Sequence, residues 1–186
     1  MDDPRAVAKS LLAILEKYGQ GDYIGESIRA RQELVLAALL HDVGQIIPLE
    51  KTKEARMKLS QEHAESVGRI GHETIGAQYL HLLGFSETVC RLVNSHVAAK
   101  RYLTAVNQSY YDSLSSASQK SLALQGGPFR DEELKAFEQD LLKDEMVSLR
   151  LWDDAAKIVG IENKIPRAHD YLELIVAHLS RNISET

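Results

Sequence analysis

Seven histidines punctuate the chain, at positions 41, 63, 72, 81, 96, 169 and 178, and three of them stand where an imidazole is costly. His41 follows LAALL (residues 36–40) and precedes Asp42, so an imidazole and a carboxylate close an apolar helix. Desolvating such groups is unfavourable unless a hydrogen bond, an ion pair or a metal compensates them. His72 opens GHETIGAQYL, and His96 lies on the apolar side of SETVCRLVNSHVAAK. Three imidazoles and one carboxylate on neighbouring helices can converge inside a bundle, which is how helical proteins build metal sites. Imidazole suits Fe, Zn, Cu or Ni, and a carboxylate adds harder character. Successive helical residues point about 100° apart, so His41 and Asp42 on one helix would not chelate side by side. The two oxygens of Asp42 can instead bridge two ions, with His41 serving one of them.

The other histidines read as ordinary. His81 and His178 lie inside amphipathic helices with no acid beside them, and His63 lies in the charged stretch SQEHAES. His169 is also followed by an aspartate, but it stands at a helix start after a proline, where Asp170 complements the helix dipole. A late acid for the site is available in LRLWDDAAKIVG (149–160). Asp153 and Asp154 sit at the edge of the face marked by Leu149, Trp152, Ala156 and Val159. Spacing leaves open whether these carboxylates are solvated or one turns inward.

The elements that must position these residues are helical. Leu11, Leu12 and Leu15 recur at helical spacing behind Asp3 as cap and Pro4 at the first position, with Gly19 past the end. A second helix is expected from about Ser27 to Asp42, and a third after Gly71, ending at Gly84. A fourth is expected behind Ser86 as cap. Further amphipathic helices are expected near 131–142, 144–158 and 166–182. PLEKTKEARMKLSQ (48–61) reads as an exposed connection. The polar stretch after Tyr102 ends in QGGPF (125–129), a loop signal. No alternating strand pattern of useful length is present. The chain of 186 residues, 44 % hydrophobic and 26 % charged, suits one all-α domain over 1–186, a helical bundle with a real core. Its metal-binding core is expected over about 23–159, with a C-terminal helix near 166–182. A net charge of −5 argues against a broad grip on nucleic acid. The longest apolar run, LVLAALL, is too short to cross a bilayer. The acidic start and the single Cys90 fit a cytoplasmic protein in a reducing compartment.

LAALLHDVG (36–44) resembles the hallmark of the HD-domain superfamily, a His-Asp pair on a helix. The resemblance extends to the small diiron HD oxygenases that cleave the C–P bond of 1-hydroxyphosphonates, such as 2-amino-1-hydroxyethylphosphonate dioxygenase. It is carried by YIGE (23–26), GHETIGAQYL (71–80), GFSETVCRLVNSHVAAKRYL (84–103), SLALQGGPF (121–129) and LRLWDDAAK (149–157). This resemblance implies an all-α HD domain holding two irons, Fe(II)/Fe(III), with O2 as co-substrate. It implies Asp42 as the carboxylate bridging both irons, His41 and Asp153 on the first iron, and His72 and His96 on the second. It implies Lys100, Ser118, Gln125 and Arg150 as contacts to the phosphonate of a small organophosphonate. Tyr23 and Glu26 would form a mobile pair, the tyrosine on the iron before substrate arrives and the glutamate facing the substrate's amino end.

Two features depart from the family's pattern. His41 comes 15 positions after Glu26, about half the family's interval, and SIRARQELVLAALL (27–40) contains no histidine where the family has a further iron ligand. Gln45 stands where close relatives can have a histidine near the substrate, and glutamine keeps hydrogen bonding but cannot titrate. The expected activity is oxygenation of a 1-hydroxyphosphonate to a carboxylate and phosphate. A two-metal phosphohydrolase and a ligand-binding, inactive relative are the alternatives the same residues allow. The sequence gives no expectation for oligomeric state.

Overall fold

The computed structural model describes residues 3–18, 32–47, 71–156 and 166–184. The described residues form α1 (Pro4–Tyr18), α2 (Gln32–Leu40), α3 (Val43–Ile46), α4 (His72–Leu82), α5 (Glu87–Val106), α6 (Gln108–Ser113), α7 (Ser116–Leu124), α8 (Asp131–Glu138), α9 (Lys143–Ala155) and α10 (Leu172–Ser184). A 3₁₀ turn, Ala168–Tyr171, leads into α10. Among them there is no strand, so the chain is all-α.

The 20-residue α5 is the spine. Ser86 caps it, its hydroxyl accepting from the Val89 amide at 3.3 Å. It buries Val89, Leu92, Val93, His96, Ala99, Lys100 and Leu103 against α4, α2 and α9. Helix α2 is apolar nearly all round, with Leu36, Ala37 and Leu40 fully buried, as befits a central helix. Helix α1 turns Leu11, Leu12 and Leu15 inward and packs against α10. An Arg5–Glu173 ion pair at 2.7 Å ties their surfaces.

Three boundaries differ from the sequence expectation. The described part of the second helix ends at Leu40, and His41 and Asp42 form the turn between α2 and α3. Residues 27–31 lie outside the described residues. The stretch after Tyr102 is helical: α5 runs to Val106, then α6 and α7 follow. Neither has a strong apolar face, since no residue of α6 is buried and in α7 only Leu122 is. They are set by their caps, Asn107 accepting from the Tyr110 amide (3.0 Å) and Ser115 from the Ser118 amide (3.2 Å). Third, the helix expected over 144–158 is described only to Ala155.

Gly44 fixes how closely α3 approaches α4. A Cβ there would lie 1.9 Å from the His72 carbonyl oxygen and 2.7 Å from the Gly76 amide nitrogen. These are backbone atoms, so relief requires the helices to separate. Gly44→Ala is expected to destabilise the metal-free protein by about 3 kcal/mol, the upper end for overpacking. It is also expected to lower iron loading, because His72 begins the displaced helix. Chemical denaturation and iron analysis of the variant check both effects.

Candidate metal centre

The site is assembled at the break after α2. Asp42 adopts φ −97°, ψ 8°, the bridge region between helix and strand. This frees His41 and Asp42 from the 100° divergence expected of one helix, and both side chains turn to a common point. The Nε2 of His41 lies 3.6 Å from Asp42 Oδ2. The other oxygen, Oδ1, lies 3.3 Å from His72 Nε2 and 3.7 Å from His96 Nε2. His72, at the start of α4, and His96, in the middle of α5, bring their Nε2 atoms to 2.9 Å of each other. Asp153, from α9, presents Oδ1 to His41 Nε2 at 3.6 Å. The carboxylate of Asp42 therefore divides two donor sets: His72 and His96 on one side, His41 and Asp153 on the other.

The donor chemistry fits a metal. Bonds of about 2.1 Å at right angles place neighbouring donor atoms about 3 Å apart, close to the spacings among Asp42, His72 and His96. The ligand atoms of these three all lie within 4.8 Å of one another. The tautomers also fit. His96 Nδ1 is 2.8 Å from the Val93 carbonyl, and His41 Nδ1 is 2.8 Å from the Ala38 carbonyl. A carbonyl only accepts, so each Nδ1 carries a proton, and each ring, in its neutral form, offers a bare Nε2 to the centre. The Glu73 carboxylate lies 3.5 Å from His72 Nδ1 on the opposite side of that ring.

The electrostatics bear on the same point. Burial drives the His96 imidazole down to about 3, and the charges of His41 and His72 add to this, so it stays neutral. Burial also disfavours charge on His41, but the hydrogen bond to Asp153 and the charges of Asp42 and Asp153 outweigh it and lift it to about 9. Partial desolvation pushes the Asp42 carboxyl up, but the His72 hydrogen bond and the charges of His41, His96 and His72 bring it well below the usual carboxylate range. The Asp42 side chain keeps 52 % of its surface exposed, whereas His72 and His96 are buried, so Asp42 marks the mouth of the site.

The residues expected at the phosphonate are placed variously. Lys100, one turn beyond His96, is buried and donates from Nζ to Ser121 Oγ at 2.9 Å. Ser121 donates onward to the Ser118 carbonyl at 3.0 Å, while the Ser118 hydroxyl pairs with Ser115 Oγ at 3.1 Å. The hydroxyl against Lys100 is thus that of Ser121, which sequence reasoning did not single out. Its only signal is a spacing of three from Ser118. Gln125 ends α7, and its Oε1 is buried with no hydrogen-bond partner among the described residues. Gly126 and Gly127 follow at φ 95° and 72°, left-handed values that favour glycine. Arg101 pins this turn, donating from Nε to the Gly127 carbonyl at 2.8 Å. Gln45 reaches the mouth, Nε2 donating to Asp42 Oδ1 at 3.4 Å.

Arg150, expected at the phosphonate, is held by two carboxylates and a tyrosine hydroxyl. Its Nη1 donates to Asp153 Oδ2 at 2.6 Å, its Nη2 to Asp154 Oδ1, and its Nε to the Tyr110 hydroxyl at 2.9 Å. Burial disfavours its charge, but Asp153 and Asp154 hold the guanidinium protonated. Tyr23, Glu26 and His63 lie outside the described residues. The remaining histidines are where ordinary histidines belong. His178 is buried and accepts from the Ser86 amide at 3.1 Å. His81 is exposed, and Asp170 beside His169 accepts from the Arg167 amide at 2.8 Å in the 3₁₀ turn.

A family model and several known proteins are similar to this chain. The family model described as HD domain matches residues 2–122. A hydroxymethylphosphonate dioxygenase of Gimesia maris is 38% identical over 157 residues, covering 84% of this chain and 73% of the relative. A [1-hydroxy-2-(trimethylamino)ethyl]phosphonate dioxygenase (glycine-betaine-forming) of Leisingera caerulea is 37% identical over 143 residues, covering 77% and 68%. An uncharacterized protein of Acanthamoeba polyphaga mimivirus is 31% identical over 189 residues, covering 93% and 82%. No described helix is long and apolar enough to cross a membrane.

Proposed function

We propose that this chain, which belongs to the HD domain family, is an iron-dependent oxygenase that cleaves the C–P bond of a small 1-hydroxyphosphonate. One observation carries the reading: two imidazoles and one carboxylate, from His72, His96 and Asp42, face a single point. That donor set with open positions is the one non-haem Fe(II) oxygenases use. The activities of the two phosphonate dioxygenase relatives support the substrate class.

The second donor set extends the reading to a pair of irons, Fe(II)/Fe(III): His72, His96 and Asp42 would hold one, and His41 and Asp153, with Asp42, would hold the other. Bound iron would supply O2 activation and one-electron chemistry at C1 of the substrate. The chain's own residues do the rest. Lys100 and Ser121 lie along α5 and α7 beyond His96 and hold the phosphonate oxygens by charge-assisted hydrogen bonds. Gln125, at the end of α7, has a buried amide group whose oxygen has no hydrogen-bond partner among the described residues. Gln45 donates to Asp42 at the mouth and holds the bridging carboxylate in orientation. The exposed edge of Asp42 admits substrate, while burial of His72 and His96 keeps water from the reacting carbon. The overall change consumes one O2 and converts the hydroxyphosphonate to a carboxylate, phosphate and a proton.

The test is phosphate release from a 1-hydroxyphosphonate by protein loaded anaerobically with Fe(II), with and without O2. Release only when O2 is admitted is the expected outcome. Release without O2 would show hydrolysis and overturn the reading.

A further inference from the structure

Asp153 reaches the centre from α9 with one oxygen, Oδ1, directed at His41 and the other, Oδ2, held by Arg150. A carboxylate on a helix surface rotates freely unless something fixes it, so the groups that hold Arg150 decide where Oδ1 points. Two do so. Asp154 takes Arg150 from one side, with Nη2 donating to its Oδ1 and Nε to its Oδ2 at 3.1 Å. Tyr110, on the short α6, donates its hydroxyl proton to the same Oδ2 at 2.6 Å and accepts from Arg150 Nε at 2.9 Å. The three side chains close a triangle, and the remaining arm of the guanidinium fork rests on Asp153. Arg150 is 5 % exposed, while Tyr110 and Asp154 are partly buried, so the guanidinium is withdrawn from solvent and held by these two side chains.

We infer that Tyr110 and Asp154 are positioning residues that act through Arg150 to aim the Asp153 carboxylate at the His41 side of the metal centre. The inference rests on the proposed function in one respect, that Asp153 is a metal ligand. It gives α6 a purpose that its sequence does not advertise: none of its residues is buried, yet it carries the hydroxyl that completes the triangle. It also separates the two cations of the site. Lys100 donates to Ser121, whereas Arg150 faces two carboxylates, one of them on the metal's side. Removing a group that orients a metal ligand costs about 10- to 100-fold in metal affinity. The effect should be confined to one of two ions, because Asp42, His72 and His96 do not touch the triangle.

Equilibrium dialysis of the full chain against Fe(II) without O2, for wild type, Tyr110→Phe, Asp154→Asn and Asp153→Asn, tests this. Melting of the metal-free proteins is measured alongside. Wild type is expected to take up two ions. Tyr110→Phe is expected to bind one of them about tenfold more weakly and Asp154→Asn about 100-fold more weakly. In both, the other ion is bound as in wild type; the metal-free Tm stays close to wild type in Tyr110→Phe and falls by several degrees in Asp154→Asn, which removes one counterion of a buried guanidinium. Two ions bound by Tyr110→Phe and Asp154→Asn with wild-type affinities would overturn the inference. Loss of both ions together with a large fall in Tm would also overturn it, by assigning the triangle to the fold. Failure of the underlying reading looks different: Asp153→Asn would then bind two ions as wild type does, or wild type would bind only one.

Discussion

Asp42→Asn is expected to empty the centre of iron and to lower phosphate release at least about 1,000-fold, a loss of about 4 kcal/mol of barrier reduction. The carboxylate is the one group common to both donor sets, Oδ1 toward His72 and His96 and Oδ2 toward His41. Asparagine keeps the shape but replaces one oxygen with an amide nitrogen that cannot ligate, and it removes the negative charge. Each ion then loses an anionic ligand at once. Glu73 faces the other nitrogen of His72 and is not placed to take over the role of Asp42. The fold is expected to tolerate the change. The Asp42 side chain is half exposed, so losing its pairs with His41, His72 and His96 is expected to cost the metal-free protein about 1 to 3 kcal/mol, short of the roughly 5 to 15 kcal/mol that holds a domain folded. Iron per chain after anaerobic loading, phosphate release under O2, and melting of the metal-free protein together separate a lost ligand from a lost fold.

Lys100→Met is expected to raise KM for the phosphonate about 100-fold while iron content stays at two per chain, since a hydrogen bond to a charged group is worth up to about 3 kcal/mol. Lys100 is 4 % exposed and its Nζ bonds to Ser121 Oγ at 2.9 Å. A buried Nζ is an unfavourable group to maintain for structure alone. Methionine fills nearly the same volume without a polar tip, so the substrate-free protein is expected to be no less stable. A lysine kept for the fold would give the opposite pattern, an unchanged KM and a lowered Tm. Steady-state kinetics and thermal melting distinguish the two.

What the sequence disclosed about the site followed from cost. Five apolar residues running into His41-Asp42 made a charged pair conspicuous, and His72 and His96 stood on apolar faces that had to pack together. What it hid was held by backbone detail. The helix break after Leu40 turns His41 and Asp42 toward one point, and no apolar periodicity reports a break of one turn. Nor does the sequence report that the lack of a side chain at Gly44 is what allows α3 and α4 to touch at His72. The short α6 and α7 escaped notice because they bury almost nothing and rest on Asn107 and Ser115 as caps. Arg150 and Lys100 look alike as buried cations in a sequence. Only three-dimensional placement shows that one is matched to Asp153 and Asp154 and the other to a serine hydroxyl.

The most direct measurement is anomalous diffraction at the iron absorption edge from crystals of the full chain grown anaerobically with Fe(II). The account predicts a strong peak within bonding distance of Asp42 Oδ1, His72 Nε2 and His96 Nε2, with a second across Asp42 beside His41 and Asp153. Iron bound elsewhere, with those three side chains free of metal, would contradict it.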